Sequence, residues 1–146
     1  MDRHETRTAV WVILERNNKV FMIRRQNTGW ADGYLTLPAG HVDKGSFVRE
    51  SVVIEAKEEA VVDIEIADLS LIHVDYLLDE YVNFYFKAEK WQGEPKIGEP
   101  HLASECVWVS PDEIPNDCVP QVKNLFKKTH QNINFSEITR SDISGL

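Results

Sequence analysis

From Pro38 to Val62 the chain reads PAGHVDKGSFVRESVVIEAKEEAVV: a short extended piece, a turn ending at Gly45, and an unbroken helix-length run. The run from Phe47 to Val62 predicts a helix of about four turns, with Ser46 as its N-cap and Glu50 in its first turn. Glu55, Glu58 and Glu59 stand three and four residues apart, so a helix projects their carboxylates from nearly one side. Lys57 lies off that side, and each like-charged pair costs a few tenths of a kcal/mol. Phe47, Val48, Ser51, Val52 and Ala56 fall on or near the opposite side, which is expected to pack on a sheet. The acidic side is left to solvent or to a hard cation such as Mg2+, which takes carboxylate oxygens together with water and phosphate. A solvated helix face has the same composition, so the flanking segments carry the distinction.

Those segments predict strands. Thr8–Leu14 and Val20–Ile23 are β-branched, aromatic or aliphatic and meet at Asn17-Asn18, a hairpin pattern. The polar loop QNTGWADG separates them from an extended Tyr34–Leu37 that stops at Pro38. Further strands are expected over Ile64–Tyr76, in one piece or two, over Tyr81–Trp91 and over Cys106–Val109. A second helix is expected over Val119–His130 with Pro120 at its start. Residues 131–146 are polar and mixed, the composition of a draped or frayed tail. Strands around one helix with another near the end imply a single α+β domain over residues 1–130, a mixed sheet packed between helices.

Read from Gly40 to Val62, GHVDKGSFVRESVVIEAKEEAVV resembles the signature of the Nudix hydrolase (MutT-like) family: Gly, five residues, Glu, seven residues, then Arg-Glu-aliphatic-x-Glu-Glu-x-Gly-aliphatic. Glu55, Glu58 and Glu59 match its three core glutamates, and Ala56 and Val62 its apolar positions. Ser46, Ile54 and Val61 depart from it, standing where the family has its first glutamate, its arginine and its closing glycine. The likeness extends from about Thr8 to Phe126 and implies the Nudix fold. It also implies Mg2+, or Mn2+, held by Glu55, Glu58 and Glu59 with the Gly40 carbonyl, and hydrolysis of a phosphoric anhydride in a nucleoside diphosphate-linked compound. A (deoxy)nucleoside triphosphate is the first expectation. Glu55, Glu59 and a loop acid, Glu99, are the candidates for the catalytic base, with Glu94 the substitute in another register. Ser46 and Ile54 support a rival: a Nudix-like domain that binds a nucleotide or partner without turnover.

Arg24 and Arg25 end the second strand, where alternation turns one of them toward a substrate face; an arginine there could clamp phosphate. Trp30, in the loop nearby, could stack on a base, whereas Trp11, Trp91 and Trp108 sit in strand patterns and are expected in the core. His41 is left out of the catalytic set. A net charge of −8 argues against broad contact with a nucleic-acid polymer but not against a small nucleotide bridged by metal. Cys106 and Cys118 form no disulfide framework, both are expected in the core or an interface, and a reducing cytoplasm is the expected setting. No signal peptide, membrane span or membrane partner is expected, and a homodimer stays open.

Overall fold

A computed structural model describes residues 1–143; residues 144–146, the end of the predicted tail, lie outside the described part. The first strand sets the architecture. β1 (Arg7–Arg16) is buried on both faces from Ala9 to Leu14, which is why the segment reads as one apolar run instead of an alternation. One edge of β1 pairs in parallel with β6 (Tyr81–Ala88). The other edge is shared: β4 (Ala39–His41) takes Ala9–Trp11, and β2 (Lys19–Arg25) takes Glu15 and Arg16. Asn17 and Asn18, both at positive φ, turn β1 into β2.

Around this centre the sheet runs β3 (Leu35–Thr36), β2, β1, β6, β5 (Ser70–Leu77) and β8 (Phe135–Ile138), with β4 on β1 and β7 (Ala103–Val109) on β2. A 3-10 turn, Ile66–Asp68, precedes β5, so the long extended segment expected from Ile64 is indeed interrupted. The fold is α+β, a mixed sheet between two helices. Val10, Val12 and Leu14 meet α1 (Val48–Ala60), while Trp11 and Ile13 meet α2 (Pro120–His130). Among the described residues no helix is long and apolar enough to cross a membrane.

Three local expectations are corrected. Val48 begins α1, and Phe47, not Ser46, is its N-cap: Glu50 Oε2 accepts from the Phe47 amide at 3.4 Å, and Phe47 is 76% exposed instead of packing on the sheet. Cys106 is exposed, because it lies on an open face of β7; Cys118 is buried. Where a draped or frayed end was expected, Phe135–Ile138 forms β8, parallel to β5. Ile138 and Ile143 then close a small cluster with Leu77 and Tyr81. The apolar residues that anchor this segment are too few for composition to reveal.

At its other end α1 stops on Val61, whose φ of 59° and ψ of 38° are left-handed. A β-branched residue there is strained by roughly 1–2 kcal/mol. Val61→Gly is therefore expected to raise stability by about 1 kcal/mol, net of the extra freedom glycine gives the unfolded chain, visible as a higher denaturant midpoint with an unchanged slope. A lower midpoint would mean that the half-buried Val61 side chain outweighs the strain.

Candidate active site

A strand of three residues and the longer of the two α-helices build the site together. β4 lies against β1 through Trp11–Ala39 and Val10–Gly40, and α1 runs alongside it. From the last turn of α1, the Glu59 carboxylate accepts the Ala39 amide at 2.9 Å. One turn earlier, Glu55 lies directly over Gly40: a Cβ added there would stand 2.1 Å from the Glu55 carboxyl carbon. Glycine at 40 is thus a steric requirement of this carboxylate. A second backbone approach brings in the loop before β7. The Gly98 amide donates to the Glu59 carbonyl at 3.1 Å, and a Cβ at 98 would come within 1.9 Å of the Glu58 carbonyl oxygen. That contact presents Glu99 beside Glu59.

Glu59 and Glu99 line a cavity of about 170 Å³ with Arg25, Thr28 and Ala39. Burial pushes the Glu59 carboxyl up to about 8, and repulsion from Glu55 and Glu99 adds to it against the Ala39 hydrogen bond and the Arg25 charge. Burial likewise pushes Glu55 up to about 7, helped by Glu58, Glu99 and Asp43. Asp43 belongs to no expected set, although its place in the turn before α1 is a usable signal. Glu58 is exposed. Among the described residues no three acidic, histidine or cysteine side chains stand together tightly enough to hold an ion as they are.

Arg24 and Arg25 face opposite ways. Arg25 lines the cavity, donates to the Trp30 carbonyl and Thr28 Oγ1 at 2.8 and 2.9 Å, and lies over the Trp30 ring at 4.9 Å from its centre. Arg24, expected as a substrate group, is corrected: it is engaged by Asp117 at 2.8 Å, Glu105 at 3.4 Å and the Gly33 carbonyl, away from the acidic cluster. Glu94 is likewise removed, in a two-bond pair with Arg16 at 2.8 Å. His41 stacks on Tyr81 and shares a 2.8 Å hydrogen bond with its hydroxyl.

Beyond Ala39, Gly40 and Arg25 a second cavity opens, about 410 Å³, with Trp30 on its wall. Trp11, expected only in the core, reaches it as well and donates to Asn83 Oδ1 at 3.0 Å. Asn83 is fixed in turn by Asp75 at 2.8 Å, whose other oxygen takes the Tyr85 hydroxyl at 2.7 Å. Asn83 was missed by sequence reasoning, yet a buried amide in the apolar run YVNFYFKA is a legible irregularity.

The cluster is chemically able to do two things. Its donors are all oxygen, the chemistry of a hard divalent cation, and such an ion would favour the ionised forms of Glu55 and Glu59 against the burial and mutual repulsion that raise them. Carboxyls held near neutrality can also exchange a proton at working pH. The donor set therefore fits a divalent metal.

Comparison with known proteins places the chain among relatives of known family. The NUDIX domain family model matches residues 5–129. The chain is 30% identical over 122 residues to the 8-oxo-dGTP diphosphatase of Escherichia coli (strain K12), covering 80% of this chain and 93% of that protein. It is 45% identical over 51 residues to the ADP-ribose pyrophosphatase of Methanocaldococcus jannaschii, 35% of this chain and 30% of that one. The fold matches a MutT NUDIX hydrolase from Burkholderia pseudomallei at a TM-score of 0.75 and 23% identity, over 84% of this chain and 97% of the other.

A raised carboxyl has a thermodynamic consequence. The folded chain retains a proton on Glu59 that the unfolded chain sheds near 4.5, so this residue destabilises the fold increasingly as pH rises from about 4.5 to about 8. In divalent-free buffer, Glu59→Gln is expected to match the parent at pH 4.5 and to exceed it by about 4 kcal/mol at pH 8. Paired thermal or urea unfolding across that range measures the difference; a gap that does not widen with pH would show that Glu59 is not held protonated.

Proposed function

The chain belongs to the NUDIX domain family, and from that premise we propose that it is a divalent-cation-dependent hydrolase of a phosphoric anhydride bond in small nucleoside diphosphate-linked compounds. The observation that carries this reading is Glu59 and Glu99 on the wall of one cavity with Arg25, and Glu55, one helical turn before Glu59, seated over Gly40 and coupled to Glu99 and Glu59 through their charges. Glu55, Glu58 and Glu59, with the Gly40 carbonyl, are the groups that would hold Mg2+ or Mn2+. Such an ion would neutralise phosphate charge and acidify water.

The remaining work falls to the chain. Arg25 offers a guanidinium to a phosphate oxygen where the protein is otherwise acidic. Glu59 and Glu99 are the acceptors for the proton of the attacking water; Glu59 is held in place by the Ala39 amide and Glu99 by the loop contact at Gly98. That anchoring also bears on the departures from the family pattern. Ile54, 49% exposed, cannot orient a glutamate as the arginine would, and the Ala39 hydrogen bond supplies an orientation of its own. This supports turnover over a binding-only role. A (deoxy)nucleoside triphosphate is the first substrate to try, consistent with the nucleotide named for the Escherichia coli relative.

Product formation should be followed by chromatographic separation of the phosphorylated products (pyrophosphate or phosphate with a shortened nucleotide from triphosphates, two phosphomonoesters from nucleotide sugars and ADP-ribose, two nucleotides from dinucleoside polyphosphates) with Mg2+ and Mn2+. Turnover is expected to stop with a chelator and to fall about 100-fold or more in Glu59→Gln. Unchanged turnover in that variant would exclude this site. If the parent is silent, a gain on joint Ser46→Glu and Ile54→Arg substitution would mark a slowed enzyme, and continued silence the binding-only reading.

A further inference from the structure

The larger cavity carries chemistry that the acidic cluster does not use. Its walls come from distant parts of the chain: Trp11 and Asn83 from the sheet, Trp30 from the loop after β2, Tyr81 from the start of β6, Gln121 from the first turn of α2 and Arg140 from the end. Gln121 is 93% buried by exposure of 7%, and its side-chain carbonyl has no hydrogen-bond partner among the described residues. An unpaired buried acceptor costs about 1–3 kcal/mol, a cost that a ligand donor would remove.

Arg140 lies beyond residue 129, where the match to the family model ends. It is nonetheless held in position. β8 zips onto β5, Ile138 and Ile143 pack on Leu77 and Tyr81, and the guanidinium forks onto Glu80, with Nε to Oε2 at 3.1 Å. Tyr81 also bonds His41, the neighbour of Gly40, so the wall that Arg140 joins is tied to the strand carrying the acidic cluster. The cavity shares Arg25, Ala39 and the Gly40 edge with that cluster, so one ligand can span both.

We propose that the C-terminal segment is a specificity element: Arg140 and Gln121 together select a planar heterocyclic base, Gln121 accepting from a ring or exocyclic N–H and Arg140 donating to an acceptor on the same base. This rests on the hydrolase reading for the phosphate half of the ligand. Trp30 and Tyr81 supply flat aromatic surface for the ring, and Asn83, locked by Trp11 and Asp75, keeps the floor rigid. The guanidinium is exposed and already aligned by Glu80, so little side-chain freedom is lost when it meets a ligand.

The test compares nucleoside triphosphates of four bases with ribose 5-triphosphate, which has none. The parent is expected to favour at least one base over the baseless compound, and Arg140→Ala and Gln121→Leu each to cut that preference about tenfold, in KM more than in kcat. Arg140→Lys, which keeps charge without the fork, is expected to recover only part. Equal losses on base-bearing and baseless substrates, or no loss, would overturn the proposal, and thermal unfolding of each variant separates misfolding from lost recognition. If the parent hydrolyses nothing, the hydrolase reading is decided separately by the joint Ser46→Glu and Ile54→Arg variant. Quenching of tryptophan fluorescence by nucleoside monophosphates then decides the base site: binding weakened about tenfold in Arg140→Ala upholds it, and no binding by the parent overturns it.

Discussion

The hydrogen bond from the Ala39 amide to the Glu59 carboxylate joins the last turn of α1 to a strand of three residues. β4 is held by β1 on one side, and its contacts with the helix set where the whole acidic row lies. Because α1 is rigid, fixing Glu59 also fixes Glu55 over Gly40 and turns Glu58 to solvent. Small residues make the close approach feasible: Ser51, Ala56 and Ala60 are the buried face of the helix together with Val52. Larger side chains there would lift α1 from the sheet and separate the carboxylates from the cavity.

The parts of this arrangement that follow from local pattern could be read from the chain. A continuous apolar β1 and a hairpin at Asn17-Asn18 are local facts, and so is the strand-turn-helix from Pro38 to Ala60. The glutamate spacing is equally local, since helix geometry alone puts the three on one side. What the pattern could not tell was how deeply each would be buried. Glu58 and Glu59 are adjacent in sequence, yet one is exposed and the other mostly enclosed, because enclosure comes from β4 and the loop at Gly98. Arg24 and Arg25 divide the same way, and the partner that claims Arg24, Asp117, is far along the chain.

The second cavity was illegible for a related reason. Asn83, Gln121 and Arg140 belong to no motif and are brought together only when β6, α2 and the β8 segment assemble. Even β8 carries a weak signal: four residues with two buried side chains, its pairing dictated by β5. A strand this short is made by the edge it finds, not by its own propensity.

The end of α1 gathers several locally unfavourable choices within a few residues. Glu58 and Glu59 occupy the last turn, at the negative end of the helix dipole, where cations are preferred. Glu59 is buried with its ionisation suppressed, and Val61 caps the helix in a left-handed conformation that disfavours a β-branched side chain. Packing does not require any of these: an amide at 59 and a glycine at 61 would keep the same fold. Where a sequence breaks local rules that its own fold would let it obey, stability is being given up for chemistry. A divalent cation bound there would reverse the sign of the two electrostatic terms at once, turning repulsion among carboxylates and an ill-placed helix end into attraction. The strain at Val61 has no such remedy, and nothing in the structure explains its choice over glycine.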